Sequence, residues 1–463
     1  MFDPSDRPRH HCGVAGIFNT NKDSIPEKLF YALFSLQHRG HESAGITYRK
    51  GSELAVHKGL GSVGSVLTPL LREPIESRVG IGHVRYSTHG GNTVENVQPV
   101  IAECNKGKIA ISHNGNISNA VALNEHLTDE GSIFRSTSDT ELILHLIARS
   151  KGTSFQAALV ETLHKLEGAY SLVLIHEDSL FAVRDPHGFR PLYIGEKDGA
   201  TYIASETCAL DMLKVRKRRE VKPGELIRIS SSGVTSEMFA KPVPVSACVF
   251  ELIYFARPDS EVFGHSVHLM RKKIGAALAE REHKTADIVV PVPDSGNSAA
   301  VGYADKAGIP FELALTRNHF TGRSFILPTT TDRELAVRMK LHPVQPAIEG
   351  KRVVLIDDSL VRGTTSRNLV KLVKEAKAKE IHLRLAAPEL KWPCFFGIDI
   401  PTRKELISNK LSPEQIARDI GADSVAFLPL EDLRKCVGNN GGFCDACFSG
   451  DYPIPVEHRL KGA

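Results

Sequence analysis

No apolar run in this sequence approaches the roughly 18–20 residues that a membrane span requires. The opening residues, Met1-Phe2-Asp3-Pro4-Ser5-Asp6-Arg7-Pro8-Arg9-His10-His11, contain no apolar segment of the kind a secretory signal needs, so a cytoplasmic protein is expected. An excess of one charge is also missing. Lys and Arg number 58 against 54 Asp and Glu, a net charge of +4, which gives no support for nucleic-acid binding as the main task. There is no internal repeat and no low-complexity tract. Eight cysteines are too few and too scattered for a disulfide scaffold, and in a reducing compartment they read as thiols. Only Cys444 and Cys447 stand at ligand spacing.

What is present divides the chain. At 463 residues it exceeds one ordinary core, so two domains are expected. The first half carries short apolar runs broken by Gly, Asn and His, such as residues 13–18, 109–112 and 170–175, with helices expected over 26–37 and 140–150, the second N-capped by Asp139. This pattern suits stacked sheets with flanking helices. Lys241-Pro242-Val243-Pro244-Val245 reads as a linker. Beyond it, the apolar strands at 288–292, 353–356 and 381–387, separated by helical text including 366–379, predict a parallel sheet covered on both faces. Ligands of such sheets bind at the carboxyl ends of the strands, which here are 294–298 and 357–366.

The second of these segments is the more informative. Asp357 and Asp358 end a strand, and Ser359, Arg362, Gly363, Thr364, Thr365 and Ser366 lead into a helix. Helix N-terminal N–H groups and hydroxyls favour a phosphate, and Gly363 permits close backbone approach. The two carboxylates can accept from sugar hydroxyls and help hold a hydrated Mg²⁺. In the first half, Cys12 stands at the edge of a strand-like run. A cysteine nucleophile needs a base, and its own α-amine would serve if residues 1–11 were removed as a propeptide.

Segment 353–366 resembles the phosphoribosyl pyrophosphate loop of type I phosphoribosyltransferases, and Val292-Pro293-Asp294-Ser295-Gly296 resembles their other sheet rim. The ordered motifs at 37–45, 82–88, 112–116 and 136–141 resemble class II glutamine amidotransferases, which are N-terminal-nucleophile hydrolases. The combination is similar to the amidophosphoribosyltransferase family. That resemblance implies a four-layer αββα glutaminase domain over 12–240 and a parallel-sheet phosphoribosyltransferase domain over 248–463. It implies the reaction of glutamine, water and phosphoribosyl pyrophosphate to 5-phosphoribosylamine, glutamate and pyrophosphate.

By the same resemblance Arg85 clamps the glutamine carboxylate and Asp139 accepts from its ammonium, while the Asn114 side chain and the Gly115 N–H form an oxyanion hole. Ser295, Asp357 and Asp358 sit near Mg²⁺, and residues 317–323, with Arg317, cover the substrate. Some members of the family hold a [4Fe–4S] cluster through cysteines that match Cys248, Cys394, Cys444 and Cys447, with four-cysteine zinc as the alternative. Feedback inhibition by purine nucleotides and a homotetramer are implied as well.

The chain departs from the family pattern in four places. Arg317-Asn318-His319-Phe320 stands for Lys-Asn-Arg-Tyr, His41 for glutamine, Ala336 for glycine and Ala15 for phenylalanine. None of these changes removes an assigned catalytic group. A sugar-phosphate aminotransferase is disfavoured by the Asp357-Asp358 loop, and a non-catalytic purine-responsive regulator is disfavoured by Cys12 and Arg85.

Overall fold

The computed structural model describes residues 12–72, 74–86, 93–281, 285–318, 341–400, 402–438 and 441–456. The expected propeptide 1–11, Ser87 and Thr88, most of the covering loop (319–323) and Ala336 lie outside the described residues.

Among the described residues, thirteen strands build the first architecture. They are β1 Gly13–Asp23, β2 Ser43–Lys50, β3 Glu53–Leu60, β4 Ser77–Arg85, β5 Val100–Cys104, β6 Gly107–Ile117, β7 Gly168–His176, β8 Ser179–Arg184, β9 Tyr193–Lys197, β10 Ala200–Ala204, β11 Lys217–Glu220, β12 Glu225–Ser230 and β13 Gly233–Met238. They form two antiparallel sheets, ordered β11-β9-β10-β1-β4-β2-β3 and β13-β12-β8-β7-β6-β5. Val14, Phe18, Val79 and Ile81 of the first sheet meet Ala110, Val173, Ile175 and Leu180 of the second in a shared core. The opposite faces are covered by helices. Leu29, Phe30 and Leu33 of helix Ile25–Ser35 pack on the first sheet, and Leu142, Leu146, Phe155 and Leu159 pack on the second. This is the expected four-layer αββα arrangement. The central strands are buried on both faces, which is why β7 reads as an almost continuous apolar run.

Helix Asp139–Arg149 corrects one expectation. Its N-cap is Ser138, whose hydroxyl accepts from Thr140 N at 3.3 Å, and Asp139 is the first helical residue. A hydroxyl one residue earlier already satisfies the free N–H, so the Asp139 carboxylate is available to other partners. The first helix also ends earlier than expected, at Ser35, with a 3₁₀ turn over Gln37–Arg39.

Residues 241–245 have no regular structure and lead to strand Ser246–Cys248, which pairs in parallel with Gly442–Cys444 near the other end of this half. The second architecture is a four-stranded parallel sheet in the order Ile288–Pro291, Arg352–Asp357, Glu380–Leu385, Ser424–Phe427. Helices Val267–Glu280 and Asn297–Ala307 pack into one of its cores, and Thr364–Glu375 and Pro413–Ile420 into the other. The helix expected over 366–379 starts two residues sooner and stops at Glu375. Among the described residues no helix is long and apolar enough to cross a membrane.

Candidate active sites

Cys12 lies immediately before β1, half-buried, with Sγ directed at the Tyr86 carbonyl oxygen, 3.7 Å away. Burial pushes its thiol above the ordinary value; Arg85 opposes that rise, while Asp139 and Glu42 add to it. The thiol is therefore neutral at rest and needs a base to become a nucleophile. The charges acting on it identify its surroundings. Arg85 closes β4 and is buried, with Ser43 as its register partner across β2. Asp139 accepts from Ile117 N at 3.0 Å through Oδ2, and its Oδ1 lies 3.5 Å from His113 Nδ1.

Asn114 sits in β6 opposite Ser171 of β7. Its side chain is fully buried, and neither its amide nitrogen nor its amide oxygen has a hydrogen-bond partner. Leaving a buried amide unpaired is costly, so such a group marks a place where a ligand supplies the missing partner. Gly115 follows with φ +153°, and a Cβ there would stand 2.0 Å from the Ala169 carbonyl oxygen. Only glycine fits this close approach, which sets the direction of the Gly115 N–H.

In the parallel sheet Asp357 and Asp358 are both buried at the end of strand Arg352–Asp357. Asp358 N donates to Asp357 Oδ1 at 2.9 Å, and the Ser359 hydroxyl donates to Asp358 Oδ2 at 2.7 Å. Gly363 then takes φ +83°, and Thr364 begins the following helix, with Thr365 and Ser366 in its first turn. The left-handed turn is what aims the helix N-terminus back over the strand end. Val292 N donates to Ile356 O at 2.8 Å, so the two rims stand side by side, and on the second rim Ser295 Oγ is buried without a partner. Of two expected cations, Arg317 pairs with Asp294 of the second rim at 2.8 Å, and Arg362 pairs with Glu405 at 2.9 Å.

The four cysteines 248, 394, 444 and 447 converge. Strand pairing sets Cys248 opposite Cys444. Burial pushes each thiol up, Cys248 to about 11, and the neighbouring cysteines add to the rise at Cys248, Cys444 and Cys447. Phe396 N donates to Cys394 Sγ at 3.4 Å. Among the described residues no group of three or more His, Cys, Asp or Glu side chains is tight enough to hold a single metal ion.

Sequence reasoning missed a buried ionic knot where the two architectures meet. Arg39, Glu206, Arg190 and Glu251 are all essentially inaccessible. Arg39 reaches Glu206 at 2.5 Å and Glu251 at 2.6 Å, while His38 reaches Glu206 at 2.7 Å. Burial alone would favour neutral forms, yet the opposing charges outweigh it and hold Arg39 and Glu206 ionised. One signal existed. Glu251 is the only charged residue in the apolar run 247–256 and had to find a partner.

A nucleophile-type glutaminase fold joined to a diacidic phosphate-binding sheet defines a glutamine-dependent enzyme that transfers nitrogen to a phosphoribosyl donor. Family models agree: one described as a glutamine amidotransferase domain matches residues 83–212, and one described as a phosphoribosyl transferase domain matches residues 267–387. Amidophosphoribosyltransferase 2 of Arabidopsis thaliana, a chloroplastic protein, is 47% identical over 464 residues, covering 99% of this chain and 82% of that protein. The amidophosphoribosyltransferase of Bacillus subtilis is 45% identical over 451 residues, covering 96% and 94%. The solved structure of the B. subtilis glutamine phosphoribosylpyrophosphate amidotransferase, in complex with ADP and GMP, superposes with a TM-score of 0.90 at 44% identity, covering 96% of this chain and 98% of that one. The chain belongs to the amidophosphoribosyltransferase family.

Proposed function

We propose that the two sites described above carry out the family's reaction, each in its own domain, 12–240 and 248–463. The chain hydrolyses glutamine and passes the ammonia to 5-phosphoribosyl 1-pyrophosphate. The products are 5-phosphoribosylamine, glutamate and pyrophosphate, in the first committed step of purine synthesis. Cys12, freed as the first residue, attacks the glutamine amide, and its own amine takes the thiol proton. Arg85 and Asp139 hold the glutamine carboxylate and ammonium. Asn114 Nδ2 and Gly115 N–H receive the negative charge of the tetrahedral intermediate. The observation that carries this reading is the Asn114 side chain, buried with both polar atoms unpartnered beside the nucleophile-bearing sheet. Intact mass of the active protein tests it. The expected mass is that of a chain starting at Cys12, and full activity in a chain that keeps residues 1–11 contradicts the mechanism.

In the second domain the N-terminus of the helix from Thr364 and the hydroxyls of Thr364, Thr365 and Ser366 hold the 5-phosphate, with Ser359, Arg362 and Gly363 completing the loop. Arg317 reaches the pyrophosphate once it leaves Asp294. Asp357, Asp358 and Ser295 would hold Mg²⁺, and the hard-oxygen donor set and the unpartnered Ser295 Oγ fit that ion. Its chemistry is to neutralise the departing pyrophosphate. The ADP and GMP of the B. subtilis complex support purine nucleotides as inhibitors here.

Cys248, Cys394, Cys444 and Cys447 would hold a [4Fe–4S] cluster. The convergence of four thiols and the N–H donated to Cys394 Sγ suit a cluster. Zinc held by the same four thiolates is the alternative, and the metal content of the anaerobic protein decides between them. Protein prepared without oxygen is expected to contain iron and absorb broadly in the visible, and Cys447→Ser to lose both. Iron-free, colourless anaerobic protein sinks the assignment.

A further inference from the structure

A line of buried polar contacts runs from the glutaminase nucleophile into the second half of the chain, with Glu251 at its centre. Glu251 belongs to the second half of the chain and is completely buried. Its Oε1 accepts from Arg39 Nη2 at 2.6 Å and its Oε2 from Arg39 Nη1 at 3.0 Å, a two-pronged pairing that fixes the guanidinium plane. The third nitrogen of that guanidinium, Nε, donates to the carbonyl oxygen of Cys12 at 3.1 Å. One arginine thus ties the main chain of the nucleophile to a carboxylate of the other half.

On its other side Glu251 opens the π-helical turn Glu251–Phe255. Such turns are rare and occur mostly at functional positions. This one is held open from outside. Arg271, buried on helix Val267–Glu280, donates through Nε to Leu252 O at 2.9 Å and through Nη2 to Ala256 O at 2.8 Å. Burial pushes Arg271 down to about 10, and foremost among the charges opposing that drop is Asp358 of the phosphoribosyl loop. The hydrogen-bonded line is then Arg271, the π turn, Glu251, Arg39 and the Cys12 carbonyl, and the Asp358 charge acts on its Arg271 end. A side branch runs from Glu251 Oε1 through Arg190, whose Nη2 donates to Phe396 O at 2.7 Å, while Phe395 O accepts from Asn116 beside the oxyanion strand.

We propose that Glu251 is a positioning residue for Cys12. It sets the nucleophile's main chain through Arg39, and the π turn between it and Arg271 carries the occupancy of the phosphoribosyl site to the glutaminase. The proposal rests on the reading of Cys12 as nucleophile and of Asp358 as part of the donor site. Its physical basis is leverage, since a displacement of about 1 Å at a reacting atom can cost a hundred-fold in rate.

The test is Glu251→Gln in the full chain, which keeps shape but removes the charge and turns one of the two oxygens that accept from Arg39 into a donor. Three rates are read: ammonia-dependent phosphoribosylamine synthesis, glutaminase without phosphoribosyl pyrophosphate, and glutaminase with it at saturation. Ammonia-dependent synthesis is expected to stay within about twofold, since the phosphoribosyl loop is untouched. The stimulation of glutaminase by phosphoribosyl pyrophosphate is expected to collapse to about one, with KM for glutamine preserved and kcat lost. Glu251→Asp restores part of the stimulation. If Glu251→Gln does not fold, Arg271→Lys carries the same test, because it keeps the charge and loses the two-carbonyl clamp. Preserved stimulation in the folded variant overturns the proposal, and so does a parallel fall of all three rates, which a merely structural pin would give. Glutaminase activity in Cys12→Ser would instead refute the underlying reading, and a parental enzyme indifferent to phosphoribosyl pyrophosphate would overturn the coupling through the π turn.

Discussion

Cys12→Ser is expected to lose glutamine-dependent synthesis by roughly a thousand-fold or more, while ammonia-dependent synthesis stays near the parental rate. The asymmetry follows from the division of labour. The thiol acts only in releasing ammonia, and the sheet carrying Asp357 and Asp358 lies in a separate core. A serine hydroxyl ionises far less readily than a thiol, and an amine with a pKa of about 7.7–8.0 is a weak base for it. Burial, which already raises the Cys12 thiol, penalises the charged form of a serine further. Stability should scarcely change, because among the described residues the polar contact of Sγ is the long approach to Tyr86 O. Glutamate release and ammonia-dependent product formation are measured on the same preparation. Parental glutamate release in Cys12→Ser ends the nucleophile assignment.

The converse loss is expected at the other rim. Asp357→Asn combined with Asp358→Asn should lower both the glutamine-dependent and the ammonia-dependent synthesis by roughly 10²–10³-fold, because both need the activated sugar. The thermal midpoint should stay close to the parental value. Relief of the repulsion between two adjacent buried carboxylates is offset by loss of the charge that supports buried Arg271, and asparagine keeps the oxygen that accepts from the Asp358 main-chain N–H. Calorimetry together with the ammonia-dependent rate separates the two effects. A variant that retains ammonia-dependent synthesis shows that the acidic pair does not hold the donor.

The two predictions rest on features of unequal legibility. Asp357-Asp358 with Gly363 and the hydroxyl run could be read directly, because a phosphate loop is contiguous and its apolar strand announces a buried parallel sheet. Asn114-Gly115 was legible only as part of a series of motifs, since the pair alone describes any hairpin turn. The first half's sheet order was not readable. β1 lies between β10 and β4, and nothing local fixes pairings across nearly two hundred residues. The Ser138 cap was missed because Ser and Asp are equally good caps and adjacent. The knot of Arg39, Glu206, Arg190 and Glu251 was hidden for a similar reason. Its members sit 167 and 212 residues apart, and each looks like an ordinary charge in its own segment.

The parallel pairing of Ser246–Cys248 with Gly442–Cys444 has a consequence for synthesis on the ribosome. All the strands of the double-sheet half precede residue 240, so that half can close its cores while the remainder is still being made. Strand Ser246–Cys248 cannot. Ser246 N and Cys248 N already donate to His187 O and Phe189 O of the first half, but the partner of the other edge emerges about 190 residues later, and until then that edge stays uncovered. A nascent chain stalled short of residue 442 therefore presents a finished first half that carries one added strand with an open edge, the form that chaperones would have to shield.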